Sequence, residues 1–382
     1  MIWSHPKTTI ILLAIVINIK DSFRYRMNFI NNYFKWIPFI TSMWTSTIFA
    51  NDPTTSLTGG QIGNGLIFWL GLSILYTQLE TINNYKRNKL ENIKKGFIIG
   101  GIITIILAIP QLFYPEIDYT IISLIDPSSD KNITSGGIYQ NQQPISIFSH
   151  KAHFSAICLA LYSIAKGRVK LIFIAGIIIT TTRTTLIILT KDLLTKINFK
   201  KTICIVIVII LIIQIGKTKP TDNKKITFRQ WDIKQTLYKY NNYTSGRIWY
   251  IDTGIKNIRE LSTKEIIIGS GTPGAYQLII KNYNAEPIST SQYHNFILDT
   301  IFSTGIIGLI TYIFLLYKIK NSSTNILLNY TIFTFFWFDC SQFTHIFFIG
   351  NLMSISETKR NKQRVKNIFK SKQRQFSKIE KS

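Results

Sequence analysis

Three side chains in this sequence have the types and settings suited to a phosphate-bearing group: Arg183 in "TTTRTTL", Arg247 in "TSGRIWYID" and His294 in "QYHNFIL". A guanidinium holds phosphate oxygens through two parallel hydrogen bonds and keeps its charge in a partly apolar setting. An imidazole titrates near neutral pH, so a histidine beside such a group can accept the proton of an attacking hydroxyl. The chemistry these three residues could perform together is the displacement of a phosphate-bearing leaving group by an alcohol. Each also has a plainer reading. His294 could be a headgroup-level anchor, Arg247 an ordinary loop cation and Arg183 a side chain snorkelling to an interface.

Whether the three meet depends on the elements that carry them. The chain has 382 residues, of which 46% are hydrophobic and 16% charged. The apolar residues fall in long blocks, which points to an all-α polytopic membrane protein with about 9–11 transmembrane or re-entrant helices. The clearest spans are 28–50, 61–82, 96–114, 152–165, 202–216 and 294–317, with a weaker first one at 3–19. The organisation expected is N-terminal membrane helices over 1–216, one large external loop over 217–293, C-terminal helices over 294–355 and a basic tail over 356–382.

The formal charge of +25 does not indicate nucleic acid. Its cations sit in short segments between apolar spans, as the positive-inside rule requires. Segments 20–27, 83–95 and 166–170 are basic and read as cytoplasmic. Segments 51–60, with Asp52, and 115–149, with Glu116, Asp118, Asp126 and Asp130 against Lys131, read as external. The tail suits anionic membrane lipid. Abundant Ile, Lys and Asn with little Ala fits an AT-rich genome, bacterial or organellar.

Region 171–190 is basic on both flanks, so a single crossing would place like segments on opposite faces. A pair of broken helices with "TTTRTT" at the tip restores the parity, and non-helical backbone of that kind needs protein or a wet cavity around it. Region 325–355 reads likewise as two short helices around "DCSQFTH". This topology brings Arg183, Arg247 and His294 to the external face, with Asn295 placed to orient the imidazole and Gly305 and Gly308 allowing close helix packing. Cys158 and Cys204 fall in apolar spans and Cys340 near a turn, so no disulfide framework or metal cluster is suggested. "GSGTPG", Gly269 to Gly274, matches a dinucleotide-binding pattern after the strand-like "EIIIG". It lacks a complete βαβ unit and reads as a turn.

From Thr244 to Leu316, Arg247, the glycines Gly269 and Gly271, "HNFIL" (His294 to Leu298) and "GIIGL" (Gly305 to Leu309) occur in the order that resembles the O-antigen ligase and polymerase superfamily of bacterial envelope enzymes. "TTTRTTL" is similar to that family's earlier Ser/Thr-Arg stretch. "SIFSHKAHFSAICLAL", Ser146 to Leu161, is similar to its "GxFxHPNxxA" segment, with Lys151 and Ala152 in place of Pro and Asn. The resemblance implies an inverting, metal-independent glycosyl transfer without cofactor, in lipopolysaccharide or related polysaccharide synthesis. The donor would be a polyprenyl pyrophosphate-linked glycan and the acceptor a sugar or lipid-anchored glycan. Arg183, Arg247 and His294 would be catalytic, with Asn295, His150 and His153 substrate-binding. The expected location is the bacterial inner (plasma) membrane, or a plastid membrane for an organellar gene. A repeat-unit polymerase, a flippase of lipid-linked sugars and a silent relative remain the alternatives.

Overall fold

The structure is a computed structural model and describes residues 6–60, 63–85, 87–112, 146, 148, 151–180, 182–194, 247–272, 274, 293–320, 325–337, 341 and 343–355. These form helices with no strand among the described residues. In chain order they are α1 (Pro6–Arg24), α2 (Arg26–Tyr33), α3 (Ile37–Ile48), α4 (Pro53–Thr58), α5 (Leu66–Tyr85), α6 (Arg87–Gln111), α7 (Lys151–Ile164), α8 (Val169–Thr180) and α9 (Arg183–Leu194). After these come α10 (Arg247–Ile258), α11 (Thr263–Ile268), α12 (Phe296–Ile319), α13 (Ile326–Phe335) and α14 (Thr344–Ile355). The span expected at 202–216, most of segment 115–149 and the tail 356–382 lie outside the described residues.

Among the described residues two helical stretches, Lys89–Gln111 and Phe296–Ile319, are long and apolar enough to cross a membrane. α12 has 24 residues, enough to cross the hydrocarbon core of a bilayer.

The helices run up and down between two ends. α3 is antiparallel to α12, since the Ser46 hydroxyl donates to the Ser303 carbonyl and Ser42 Oγ lies 3.2 Å from Thr311 Oγ1. α7 and α8 form an antiparallel pair in which Gly176 lies against Cys158. α9 runs back beside α7, with Ser155 Oγ 2.6 Å from Thr185 Oγ1 near its start and Asp192 accepting from Asn329 Nδ2 at 2.7 Å near its finish. α13 returns toward the start of α12, and Asn351 of α14 donates to the Ile319 carbonyl at the far end of α12 (2.7 Å).

One end gathers the basic segments. There Lys89 pairs with Asp21 at 3.2 Å, Lys35 pairs with Glu80, and Tyr25 stacks on Tyr85 at 4.0 Å. Arg168 in the α7–α8 turn, Lys191 and Lys318 lie toward the same end. Between the ends large apolar side chains lie outside and several polar ones inside. Ile10, Leu13 and Ile17 of α1, Ile99, Ile103 and Ile106 of α6, and Ile310 and Tyr317 of α12 are exposed, whereas Ser73, Thr77, Gln78, Asn329, Thr334 and Asn351 are buried. Hydroxyl and amide contacts, such as Tyr312 Oη to Tyr330 Oη at 2.9 Å, hold the interior.

Two sequence expectations change. The span 28–50 is two helices, because Pro38 restarts α3 in its first turn and Lys35 turns inward to Glu80 and over the Tyr76 ring (5.1 Å). The strand-like "EIIIG" belongs to helix α11. Ser262 accepts from the Glu265 N–H while the Ser262 N–H donates to the Glu265 carboxylate, a reciprocal cap that starts a helix. The break expected at "TTTRTT" is present, with α8 ending at Thr180 and α9 beginning at Arg183. The two short helices expected around "DCSQFTH" are α13 and α14.

Candidate functional site

At the end opposite the basic segments, the starts of α7, α9, α12 and α14 come together with the finish of α13. A helix N-terminus carries orphan N–H groups and partial positive charge, so this end suits an anion.

His294 precedes α12 in the left-handed region, with φ of 53°, a conformation that non-glycine residues take at a cost of about 1 kcal/mol or more. Its ring lies against the Trp337 indole at 4.9 Å between centroids. From the other direction His153, buried in the first turn of α7, meets the same indole edge-on at 6.1 Å and Phe343 at 5.7 Å. Two of the histidines singled out in sequence thus share one aromatic neighbour.

Asn295 caps α12. Its Oδ1 accepts from the Ile297 and Leu298 N–H groups at 3.0 and 3.2 Å, and its Nδ2 donates to the Phe335 carbonyl at 3.0 Å. The carboxamide therefore joins the start of α12 to the finish of α13, which corrects the expectation that it orients the imidazole. Arg183 is the first residue of α9 and is half-buried, two residues before the Thr185 hydroxyl that meets Ser155. His153 and Ser155 both lie near the start of α7, so Arg183, at the start of α9, belongs to the same end. Arg247 opens α10, and only its backbone is described. Later turns of α10 pack on the site, with Gly254 against Tyr293 and Leu298 and Asn257 Nδ2 donating to Tyr293 Oη at 2.8 Å. His150 lies outside the described residues.

The glycine motifs form one device. α12 is broken at Gly305, whose φ of 69° and ψ of −174° are non-helical. The Phe302 and Ser303 carbonyls near the break accept instead from the Ser270 and Gly271 N–H groups, at 2.9 and 3.0 Å. Gly269 has φ of 80°, and a Cβ there would stand 2.3 Å from the Ser303 oxygen. "GSGTPG" is thus a turn docked on a broken helix. Gly308 is buried, with the Thr304 side chain of its own helix nearest to where a Cβ would stand.

Beneath Asp299 a cavity of about 30 Å³ is lined by Asn64, Thr272, Thr300, Ser303 and Thr304, among others. It has room on the order of one water. Among the described residues no group of three or more His, Cys, Asp or Glu is placed to hold a metal ion.

Sequence reasoning missed Trp337 and Asp299. The signal for Asp299 was present, a carboxylate one helical turn after Asn295 in an otherwise apolar run. Trp337 carried no signal, since aromatic residues surround it in "FFWFDC". No family model and no curated protein matches the chain.

Proposed function

We propose that the protein is a multi-pass membrane glycosyltransferase of the O-antigen ligase type, moving a glycan from a polyprenyl pyrophosphate carrier to an acceptor hydroxyl. The observation that carries this reading is that His294 and His153 share the Trp337 indole at the bundle end away from the basic segments, the end at which α9 begins with Arg183. Basic segments at one end and an apolar outer surface support membrane embedding with that basic end in the cytoplasm. The site would then face outward, where a lipid-linked glycan is displayed.

In this reading the acceptor hydroxyl attacks the anomeric carbon, the bond from that carbon to the pyrophosphate oxygen breaks, and the hydroxyl proton passes to His294. Arg183 and Arg247, with the converging helix N-termini, hold the charge left on the pyrophosphate, in the place a metal ion would otherwise take. A repeat-unit polymerase uses the same steps with a growing glycan as acceptor.

Membrane vesicles carrying wild-type, Arg183→Ala or His294→Ala protein, supplied with polyprenyl pyrophosphate-linked glycans, test it through release of free polyprenyl pyrophosphate. Each substitution is expected to lower release by on the order of 100-fold or more. Equal release from wild type and both variants would remove the reading. A transporter of lipid-linked sugars is the second reading, favoured by the break in α12 six residues after the buried Asp299, a form that transporters use near their substrate sites. It would move the glycan across the vesicle with no pyrophosphate freed.

A further inference from the structure

We infer that Asp299 is the residue that positions His294. The inference rests on the reading of His294 as the proton acceptor.

The geometry is a clasp. One carboxylate oxygen of Asp299 accepts from the Tyr293 N–H at 2.7 Å and the other from the Asn295 N–H at 3.2 Å. These are the amides on either side of His294, so the chain is gripped before and after the residue whose φ of 53° pushes it out of line. Asp299 is itself fixed in the first turn of α12, where its N–H donates to the Asn295 carbonyl at 2.9 Å. It is 8% exposed, so its hydrogen bonds are little weakened by competing water.

The neighbours complete the hold. The Tyr293 ring packs on Phe302 at 4.7 Å and its hydroxyl accepts from Asn257, while Asn295 is tied to the Phe335 carbonyl. Between these two pinned residues, the His294 ring lies against Trp337. A carboxylate is the side chain that can do this, because it accepts at two oxygens and donates at neither. In Asn the amide nitrogen would face one of the two N–H groups.

The full-length protein in vesicles or detergent tests the assignment with two readouts. One is release of polyprenyl pyrophosphate. The other is the pH titration of Trp337 emission, taken as wild type minus Trp337→Phe, because a protonated imidazole in contact with an indole quenches it. Wild type should show a pH-dependent step in this emission that shrinks in His294→Gln, any remainder coming from His153 on the same indole.

Asp299→Asn is expected to lower turnover by on the order of 100-fold with donor KM little changed, and to shrink the emission step as His294→Gln does. An Asp299→Asn protein that keeps its emission step overturns the inference, whether or not transfer is lost. Full transfer by His294→Gln would instead sink the proton-acceptor reading, while the emission step still decides the clasp. If Asp299→Asn does not fold, adding His294→Gly should restore folding, since glycine takes this φ without strain. A double variant equally unfolded overturns the inference.

Discussion

Among the described residues α6 and α12 are the two helices long and apolar enough to cross a membrane, yet they are built for different work. α6 runs unbroken to Pro110 and turns Ile99, Ile103, Ile106 and Ile109 outward. α12 begins with a buried capping asparagine and a buried carboxylate, breaks at Gly305, and exposes its large apolar side chains only after the break, from Ile306 onward. Apolar character alone therefore does not tell the two helices apart. What separates the two helices is where polar groups are made to stay inside: α6 has no buried carboxylate, whereas Asp299 of α12 is buried and accepts from the Tyr293 and Asn295 N–H groups just before the helix.

The largest test of this difference replaces one glycine in each helix. A Cβ at Gly305 would stand 2.2 Å from the Ile267 carbonyl oxygen, and its φ of 69° is strained for any L side chain. Gly305→Ala is expected to lower stability by about 3 kcal/mol or more, through backbone strain and loss of the docked turn. At Gly100 of α6 a Cβ meets nothing within 4 Å, so Gly100→Ala should raise stability by about 0.5–1 kcal/mol. Thermal unfolding of the two variants in detergent reads both effects. Like-signed shifts would erase the distinction between a working and a passive helix.

A smaller effect is expected at the cap. Asn295→Ala removes the acceptor for the Ile297 and Leu298 N–H groups and the donor to Phe335, and should lower stability by about 2 kcal/mol. Ile106→Ala, on the outward face of α6, should change it by less than about 0.5 kcal/mol in detergent, where that face meets acyl chains in either form. The same unfolding measurement compares the two, and a cap variant as mild as the surface one would mean that α12 is held from elsewhere.

The sequence disclosed the helices through apolar block length and the hairpins through charge parity. The α8–α9 break needed only the basic flanks on both sides of one apolar run, and α13 with α14 needed only "DCSQFTH" between two apolar arms. His294 and Asn295 stood out because polar groups at the edge of a span are expensive. The positions of α2 and α11 were hidden because their cause is local. Lys35 turning in to Glu80 and Ser262 exchanging bonds with Glu265 are side-chain events that periodicity does not record. Trp337 and the docking of "GSGTPG" on α12 were hidden because they are long-range, and a single sequence does not state which carbonyls a broken helix leaves for a distant turn.

Glu265 offers the smallest and most selective perturbation, because it holds the turn that docks on α12. Burial raises its pKa, but the Ser262 N–H and hydroxyl, the Ser270 hydroxyl and nearby Lys264 together outweigh that and leave the carboxyl below its ordinary value. A carboxyl lowered by folding adds its full stabilisation above the unfolded pKa and loses it as pH falls through the lowered folded value. Acidification from the ordinary glutamate range downward should therefore loosen α11 and the Ser270–Gly271 contact to α12. Amide hydrogen exchange in α11 should rise across that window, and Glu265→Gln should already show the faster exchange at neutral pH, by about 1 kcal/mol of local opening. If α6 and α11 opened together on acidification, the docked turn would not be a separate unit, and the break in α12 would owe its stability to the bundle as a whole.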